Sequence, residues 1–451
     1  MLAFISIKGR WISACAAVIM LSACGGGNLP QALQTLNSDS GLKRCASVGF
    51  PAPGEKAIHS WSTAQSDAIS THPLVQQTLR QAFAPLFDGE RMRLQLSNRY
   101  GLLPVTIENL HIAQRDSSGP ASVIADSDCA LHFGGESRVT IGPGETVYSD
   151  PIAYPVRAFE QLSLSFYAPE PVLQMSRHVT GFESPHISLP GDYTTAPSSE
   201  VFVSLPHEYA DNFLLISALE VSGAEPTRTI VAVGDSITDG VGSSDPRDPD
   251  ASPDQRYPDH LTRRLRAAGL PFNVVNAGIS GNRLLSDGLI PHFGPKLLDR
   301  FEQDVLQVPG VTDIILMIGS NDIGIPPAPT PQEIIAGYEA LIEQAQQRGI
   351  NVMLGTIPPA RGSRSVRLPL GPLESVGILH GSAASYAARE EVNAWIRNNS
   401  LSDSVVDFAH CLEDPVSPGY LKPEYDSGDG LHPSAAGYAA MAECIDLTTF
   451  Q

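Results

Sequence analysis

Between residues 55 and 222, apolar and polar residues alternate along several short runs of the sequence. Alternation with a period of two places one face of a strand on a core and the other face toward water. Glycine, proline and serine separate these runs, for example at residues 118–120 and 142–144. Many short strands at this spacing predict a β-sandwich, and one helix is expected over residues 73–83. The clearest alternating positions are Met92, Leu94, Leu96, Val105, Ile107, Val139, Ile141, Leu162, Leu164 and Phe166.

The pattern changes after a linker-like segment at residues 222–226. Residues 229–233 form a continuous apolar run, which is typical of a strand buried on both faces. Strands that alternate with helices predict an open parallel sheet covered on both sides, with ligands bound beyond the carboxyl ends of its strands. Further strands are expected at 272–275, 314–318, 351–354 and from 405, and helices at 257–268, 334–345, 392–396 and 435–444.

The length of 451 residues is too great for one core of usual size, and it predicts two domains. We therefore divide the sequence into four segments. They are a signal peptide (1–23), a polar tether (24–45), a β-sandwich accessory domain (46–222) and an α/β domain (227–451).

The N-terminal segment has the features of an export signal. Lys8 and Arg10 precede an apolar stretch at residues 11–20, which is too short to span a bilayer comfortably. The following Leu-Ser-Ala-Cys24 resembles the lipobox of bacterial lipoproteins, which implies cleavage before Cys24 and acylation of its thiol. The alternative is an ordinary cleaved signal with an incidental cysteine. By the same resemblance, Gly25 favours the outer membrane if the host is Gram-negative.

The charge of the chain limits its partners. The formal net charge is −20, and loss of residues 1–23 leaves 27 basic and 49 acidic residues, a net charge of −22. So acidic a protein is not expected to bind nucleic acid, because phosphates would be repelled. It is also not expected to dock electrostatically on anionic lipid, so any membrane attachment would come from the acyl chains.

The cysteine count suggests two disulfides. Cys15 leaves with the signal and Cys24 would be lipidated, so four cysteines remain in an oxidising compartment. Four cysteines allow three connectivities, and the economical one pairs neighbours within each predicted domain, Cys45 with Cys129 and Cys411 with Cys444. The spacing does not indicate a structural zinc site.

Four short polar motifs follow predicted strands or precede a predicted helix. In chain order they are Gly-Asp-Ser236, Asn-Ala-Gly-Ile-Ser-Gly281, Gly-Ser-Asn321-Asp and Asp429-Gly-Leu-His432. This ordered set, over residues 234–432, resembles the GDSL/SGNH hydrolase family. The resemblance implies a three-layer α/β/α domain with a flavodoxin-like parallel sheet and serine esterase activity. Residues 94–101 and 104–107 also resemble a jelly-roll-like region that precedes the hydrolase domain in some bacterial SGNH esterases.

The residue types suit acyl transfer. A serine hydroxyl is a poor nucleophile until a base takes its proton, and His432 is the candidate base for Ser236. Asp429 can hold the imidazole tautomer and stabilise the imidazolium. By family resemblance, the oxyanion is bound by the backbone N–H groups of Ser236 and Gly281 and by the side-chain amide of Asn321.

Several alternatives remain open at this stage. Gly278 could replace Gly281 in the oxyanion hole, and Asp426 could replace Asp429 as the orienting acid. We expect structural roles for Asp235 and Asp322. The histidines without a motif are also expected to be structural: His59, His72, His111, His132, His178, His186, His207, His260, His292, His380 and His410.

The sequence therefore predicts an exported serine esterase without a metal or organic cofactor, either attached to the cell envelope as a lipoprotein or extracellular. O-acetyl or short-chain esters of carbohydrates are the favoured substrates, on the fold-level analogy of an accessory β-sandwich. The alternatives are a lipase or lysophospholipase, a non-catalytic binding lipoprotein, and a metal-dependent or two-carboxylate hydrolase. The oligomeric state is not predicted.

Overall fold

The structure, a computed structural model, describes residues 44–68, 73–204, 212–224, 228–244, 254–369 and 375–450. The predicted signal peptide and Cys24 lie outside the described residues. We call residues 44–224 the β region and residues 228–450 the α/β region. Both belong to one compact unit that runs from Lys43 to Gln451, so the division into two domains at residues 222–227 stays a prediction.

The β region is built from antiparallel sheets, as the alternating pattern predicted. Within the described residues, one sheet has the strand order β1-β14-β3-β7 with β8 also paired to β3, and a larger one has the order β12-β11-β2-β9-β4-β5 with β6 also paired to β4. The strands are β1 (Glu55–Ser62), β2 (Gln77–Phe83), β3 (Gly89–Ser97), β4 (Val105–Gln114), β5 (Cys129–Leu131), β6 (Arg138–Ile141), β7 (Thr146–Tyr148), β8 (Ile152–Val156), β9 (Leu162–Ala168), β10 (Arg177–His178), β11 (His186–Pro190), β12 (Phe202–Ser204), β13 (Phe213–Leu214) and β14 (Ile216–Ala224).

The core of the β region lies between these two sheets. Apolar residues at alternate positions of β3, β4 and β9 are buried and pack into one cluster. Burial of such apolar faces stabilises a sandwich, and the polar alternate positions cover its outside. The clustered residues include Met92, Leu94, Leu96, Val105, Ile107, Leu162, Leu164 and Phe166.

The helix expected over residues 73–83 was wrong, because this segment contains strand β2. β2 lies between β11 and β9 in the larger sheet and is buried on both faces. Arg80 is 1% exposed, and its guanidinium donates to Ser165 Oγ at 2.7 Å and to the carbonyl oxygens of Ala121 and Ala196 at 2.7 and 2.8 Å. A charged residue with so many acceptors can occupy a core position. In the sequence, such a residue instead suggests the exposed face of a helix.

The α/β region contains the predicted parallel sheet. Its order is β16-β15-β17-β18-β21 within the described residues, which is the 2-1-3-4-5 order of flavodoxin-like folds. A separate antiparallel hairpin, β19–β20, follows β18 along the chain. The strands are β15 (Arg228–Gly234), β16 (Phe272–Gly278), β17 (Val311–Met317), β18 (Asn351–Gly355), β19 (Val366–Pro369), β20 (Ser375–Ile378) and β21 (Ser404–Val406).

Helices cover both faces of this sheet. On one face, Ile230 and Ala232 of β15 share a core with α2 and α8; on the other, Val231 and Val233 share a core with α5 and α6. The fold class predicted from the sequence is thus confirmed. The helices are α1 (Ser236–Asp239), α2 (Tyr257–Ala267), α3 (Leu297–Phe301), α4 (Ser320–Gly324), α5 (Pro331–Gln346), α6 (Ala383–Asn398), α7 (Phe408–Leu412) and α8 (Ala435–Glu443). None of the helices in the described ranges has the length and apolar character needed to cross a bilayer.

Disulfides and polar contacts reinforce the two regions. Cys45 is bonded to Cys129, and Cys411 to Cys444, as the economical connectivity predicted. Ion pairs also join the β region to the α/β region, among them one at Arg99 and one at Arg266. Arg99 pairs with Asp304 at 2.6 Å, and Arg266 pairs with Asp88 at 3.0 Å.

Candidate active site

The four polar motifs meet at the carboxyl edge of the parallel sheet. Ser236 follows β15 and begins the short helix α1, whose N-terminus is capped by Asp235. The Asp235 carboxylate accepts a hydrogen bond from Ile237 N at 3.0 Å, and burial raises the pKa of this carboxyl to about 7. Asp235 therefore supports the turn that presents Ser236, in the structural role expected from the sequence.

Ser236, His432 and Asp429 form a continuous hydrogen-bonded chain. Ser236 Oγ lies 2.8 Å from His432 Nε2, and His432 Nδ1 lies 2.6 Å from Asp429 Oδ2. The serine is buried at 8% exposure, whereas half of the Asp429 side chain is exposed. The structure thus brings together the three residues that the sequence nominated, in the order that a serine–histidine–acid triad requires.

Asp429 is held in its ionised form by its surroundings. Burial acts to raise the pKa of this carboxyl, but the hydrogen bond and charge of His432 outweigh it. The backbone N–H groups of Leu431 and His432 also donate to Asp429 Oδ1, each at 2.8 Å. The pKa of Asp429 therefore lies well below its usual range, and the carboxylate accepts from the imidazole throughout the neutral range.

The rival acid, Asp426, has a different role. Its Oδ1 accepts from the backbone N–H groups of Gly428 and Gly430, at 2.8 and 3.0 Å. It shapes the turn that carries Asp429, while the hydrogen bond to the imidazole comes from Asp429. The geometry favours Asp429 as the orienting acid.

Gly281 lies in a tight turn directly after β16. Its φ of +77° is a conformation that glycine adopts without strain, and a Cβ at this position would collide with the ring of Phe293. Among the described residues, no oxygen accepts a hydrogen bond from its backbone N–H. The N–H of the rival residue Gly278, in contrast, donates to Asn276 Oδ1 at 2.8 Å, so it is not available to a substrate.

Asn321 is the third donor that the family resemblance implied. It belongs to α4, after β17, and is 5% exposed. Its Nδ2 donates to the carbonyl oxygen of Asn282 at 3.0 Å, which uses one of the two amide hydrogens and leaves the other for a ligand. The neighbouring Asp322 accepts from Leu284 N and Leu285 N, at 2.8 and 3.0 Å, and so fixes the loop that follows Gly281.

His380 contacts Asn321, and sequence reasoning missed it. Its Nε2 lies 3.1 Å from Asn321 Oδ1, and it reaches the site from the segment that follows the β19–β20 hairpin. Burial lowers the pKa of His380 to about 4, with His432 adding to the shift, so the ring is neutral and its Nε2–H donates to the amide oxygen. This bond fixes which end of the amide faces the site. His380 has no motif, and only the fold reveals its position.

Arg300 connects the ends of the two strands that precede Ser236 and Gly281. It is fully buried, and its guanidinium donates to Gly234 O at 3.0 Å, Ala277 O at 2.8 Å and Asn282 Oδ1 at 3.0 Å. These acceptors lie next to Ser236 and Gly281 in the sequence. One side chain therefore ties together the strand ends that carry the candidate nucleophile and the candidate oxyanion turn.

Residues 232–440 match the model of the GDSL-like Lipase/Acylhydrolase family. No curated protein matches the chain significantly.

Solved structures similar to this chain include a lipase/acylhydrolase from Enterococcus faecalis, with 26% identity over 48% of this chain and 92% of that one, and a TM-score of 0.32. An aryl esterase from M. smegmatis has 18% identity over 48% and 95%, with a TM-score of 0.36. A carbohydrate acetylesterase from Sinorhizobium meliloti has 19% identity over 48% and 94%, with a TM-score of 0.33.

Proposed function

We propose that the protein is a serine esterase with Ser236 as its nucleophile, because residues 232–440 match the model of the GDSL-like lipase/acylhydrolase family. The match to this family supports ester hydrolysis in general. The observation that carries the finer proposal is the hydrogen-bonded chain from Ser236 Oγ through His432 to Asp429, with contacts of 2.8 and 2.6 Å.

In the first half of the reaction, Ser236 Oγ attacks the ester carbonyl carbon while its proton passes to His432 Nε2. The carbonyl oxygen becomes an oxyanion, for which the N–H groups of Ser236 and Gly281 and the free hydrogen of Asn321 Nδ2 are the donors. The tetrahedral intermediate collapses, the bond to the alcohol oxygen breaks, and the imidazolium returns its proton to that oxygen. The free alcohol leaves, and the acyl group stays on Ser236.

The second half uses the same groups with water as the nucleophile. His432 takes a proton from water, and the hydroxide adds to the acyl carbon. The tetrahedral intermediate then collapses, the bond from the acyl carbon to Ser236 Oγ breaks, the imidazolium returns its proton to Oγ, and the carboxylic acid leaves. Asp429 keeps the proton-bearing Nδ1 of His432 on its own side and stabilises the imidazolium in both halves. The donors act on charge that develops during the reaction, and losing one typically costs about 10²–10³ in turnover.

We assign carbohydrate O-acetyl or other short-chain esters as the substrate class. The support for this class is a fold-level analogy, an accessory β-sandwich beside the region that carries the candidate triad.

The location in the cell envelope is part of the proposal. The two disulfides suit an oxidising compartment outside the cytoplasm. Attachment through an acylated Cys24 rests on the lipobox-like sequence alone.

The test is hydrolysis of p-nitrophenyl esters from acetate to palmitate, together with labelling by a fluorophosphonate that reacts with activated serines. We expect wild type to hydrolyse the short esters best and to be labelled, and Ser236→Ala to show neither property. Ser198→Ala, at an exposed serine of the β region, is the matched control and should behave as wild type. Equal activity in wild type and Ser236→Ala would refute the proposal, and an optimum at long chains would replace its substrate class with lipid esters.

A further inference from the structure

We propose that the β region takes part in catalysis through His178, a positioning residue that holds the oxyanion turn at Ser280 and Gly281. His178 lies on β10, far in sequence from the four polar motifs of the α/β region. This inference rests on the esterase function proposed above. It gives the β region a role in the reaction that the four motifs do not include.

The contact runs through Asp239, at the end of α1. His178 Nε2 lies 3.1 Å from Asp239 Oδ1. The other carboxylate oxygen, Oδ2, accepts from Ser280 N at 2.8 Å and from Ser280 Oγ at 2.6 Å. His178 and Asp239 are 5% and 2% exposed, so solvent does not compete strongly for these bonds.

Both ring nitrogens of His178 face acceptors. Nδ1 lies 2.8 Å from the carbonyl oxygen of Ala64, and Nε2 faces the Asp239 carboxylate. A carbonyl and a carboxylate have no hydrogen to give, so both contacts are hydrogen bonds only when the ring carries a proton on each nitrogen. In that form His178 and Asp239 make a buried, charge-assisted pair across the two regions, which is stronger than a neutral hydrogen bond.

The pair acts on the oxyanion turn because of where Ser280 stands. The peptide bond between Ser280 and Gly281 carries the Gly281 N–H, and Asp239 fixes the preceding residue at two of its atoms. If Asp239 loses its partner, its carboxylate can rotate, and the peptide that follows Ser280 loses its fixed direction. A hydrogen-bond donor must point at the oxyanion within a narrow range to stabilise it.

Further contacts join the same segment of the β region to the turn and to α1. Thr180 Oγ1 lies 2.9 Å from Ser280 Oγ. Arg256 of the α/β region donates to the backbone oxygen of Asp239 at 2.8 Å and to the backbone oxygens of Thr180 and Gly181 at 3.3 and 3.4 Å. Residues 178–181 therefore hold α1 and the Ser280 turn at several points.

His178 is itself fixed by its own region. β10 pairs with β13, and the imidazole stacks on Phe213, with 6.3 Å between the ring centres and 20° between the planes. The preceding residue, Arg177, makes two hydrogen bonds to Asp67, at 2.6 and 3.2 Å. The imidazole thus reaches Asp239 from a rigid support, as a positioning group requires.

The experiment compares kcat and KM for His178→Phe with those for wild type on the best short p-nitrophenyl ester. Phenylalanine keeps the stacking on Phe213 and removes both hydrogen bonds. Arg266→Gln is the matched control, since it breaks the exposed pair with Asp88 between the same two regions without touching the turn. Ser236→Ala tests the underlying esterase function in the same assay.

We expect His178→Phe to lower kcat by about 10- to 100-fold, the upper figure being the loss that a misplacement of about 1 Å can cause. KM should be nearly unchanged, and Arg266→Gln should behave as wild type. The inhibition constant of a short alkylboronic acid, whose adduct with Ser236 places an oxygen in the oxyanion hole, should rise by a similar factor. His178→Gln should recover part of kcat because its amide can donate to Asp239. In the double variant of His178→Phe and Ser280→Ala, kcat should fall by less than the product of the two single losses.

Two other variants test the inference if His178→Phe fails to fold. If His178→Phe does not fold, Thr180→Val and Ser280→Ala act on the turn directly, and each should lower kcat at unchanged KM. A folded His178→Phe with wild-type kcat and boronate affinity, beside an inactive Ser236→Ala, overturns this inference and leaves the esterase function standing. Equal activity of Ser236→Ala and wild type overturns both.

Discussion

Replacing His380 tests how much the orientation of the Asn321 amide contributes to the reaction. His380→Phe keeps a ring of similar size in the buried position but removes the donor that lies 3.1 Å from Asn321 Oδ1. His380→Gln is the conservative partner, because its side-chain amide can place an N–H near the position of Nε2. Neither change alters the three residues of the Ser236–His432–Asp429 chain.

The size of the effect can be bounded. The upper bound is complete loss of an oxyanion donor, about 10²–10³ in kcat. The lower bound is one neutral hydrogen bond, about 0.5–1.5 kcal/mol, which corresponds to roughly 2- to 13-fold at 1.36 kcal/mol per factor of ten. Because Asn321 Nδ2 keeps its bond to Asn282 O at 3.0 Å, the amide retains one anchor, and we expect a loss of about 10-fold in the lower part of this range.

Steady-state kinetics and thermal unfolding together distinguish positioning from stability. We expect His380→Phe to lower kcat with little change in KM, and His380→Gln to stay close to wild type. In the Asn321→Ala background, His380→Phe should cause no further loss, since the group that it orients is gone. The buried Asn321 Oδ1 also loses its partner, so the free energy of unfolding should fall by about 1–3 kcal/mol.

Two results would refute this reasoning. If His380→Phe lowers kcat by the same factor with and without the Asn321 side chain, the two residues act independently. If His380→Phe unfolds earlier but turns over substrate at the wild-type rate, the contact serves stability alone.

Two other predictions concern the carboxylates at the site. Asp429→Asn should lower kcat by about 10⁴-fold through loss of the correct imidazole tautomer, whereas Asp426→Asn should keep most of its activity in the same assay. The reverse ranking would make Asp426 the orienting acid. Burial raises the pKa of Asp235 from 3.8 to about 7, so the native state binds this proton more tightly than the unfolded state, and stability is lost as pH rises from about 4 to about 7. Asp235→Asn keeps an oxygen for the Ile237 cap without this loss, so its Tm advantage over wild type should grow between pH 5 and pH 8, and a constant difference would contradict the assignment.

Much of the fold was accessible from the sequence because burial leaves a periodic signal. Residues 229–233 predicted a strand buried on both faces, and β15 has Val231 and Val233 facing one helical layer and Ile230 and Ala232 facing the other. The alternation at Met92, Leu94 and Leu96 predicted β3 in the same way. The signal fails where a polar residue is buried with partners, as at Arg80. Polarity alone does not reveal its five acceptors, which are one hydroxyl on the neighbouring strand β9 and four carbonyl oxygens outside the strands.

The residues of the candidate site also differ in how far the sequence could predict them. Ser236, Gly281, Asn321, Asp429 and His432 belong to short motifs, and the fold places them together. His178 and His380 carry no motif, because their roles depend on contacts with residues 61 and 59 positions away in the sequence. Such contacts are set by tertiary packing, which a single sequence does not specify locally.

The wide sequence separation of Ser236 and His432 has a consequence for biosynthesis. The two residues are 196 positions apart, and a ribosome that adds roughly 5–20 residues per second needs about 10–40 s to travel between them. A nascent chain that has not yet reached residue 432 contains the candidate nucleophile but lacks the candidate base. On the mechanism proposed above, ester cleavage needs both groups, so a chain that ends before His432 is expected to be inactive.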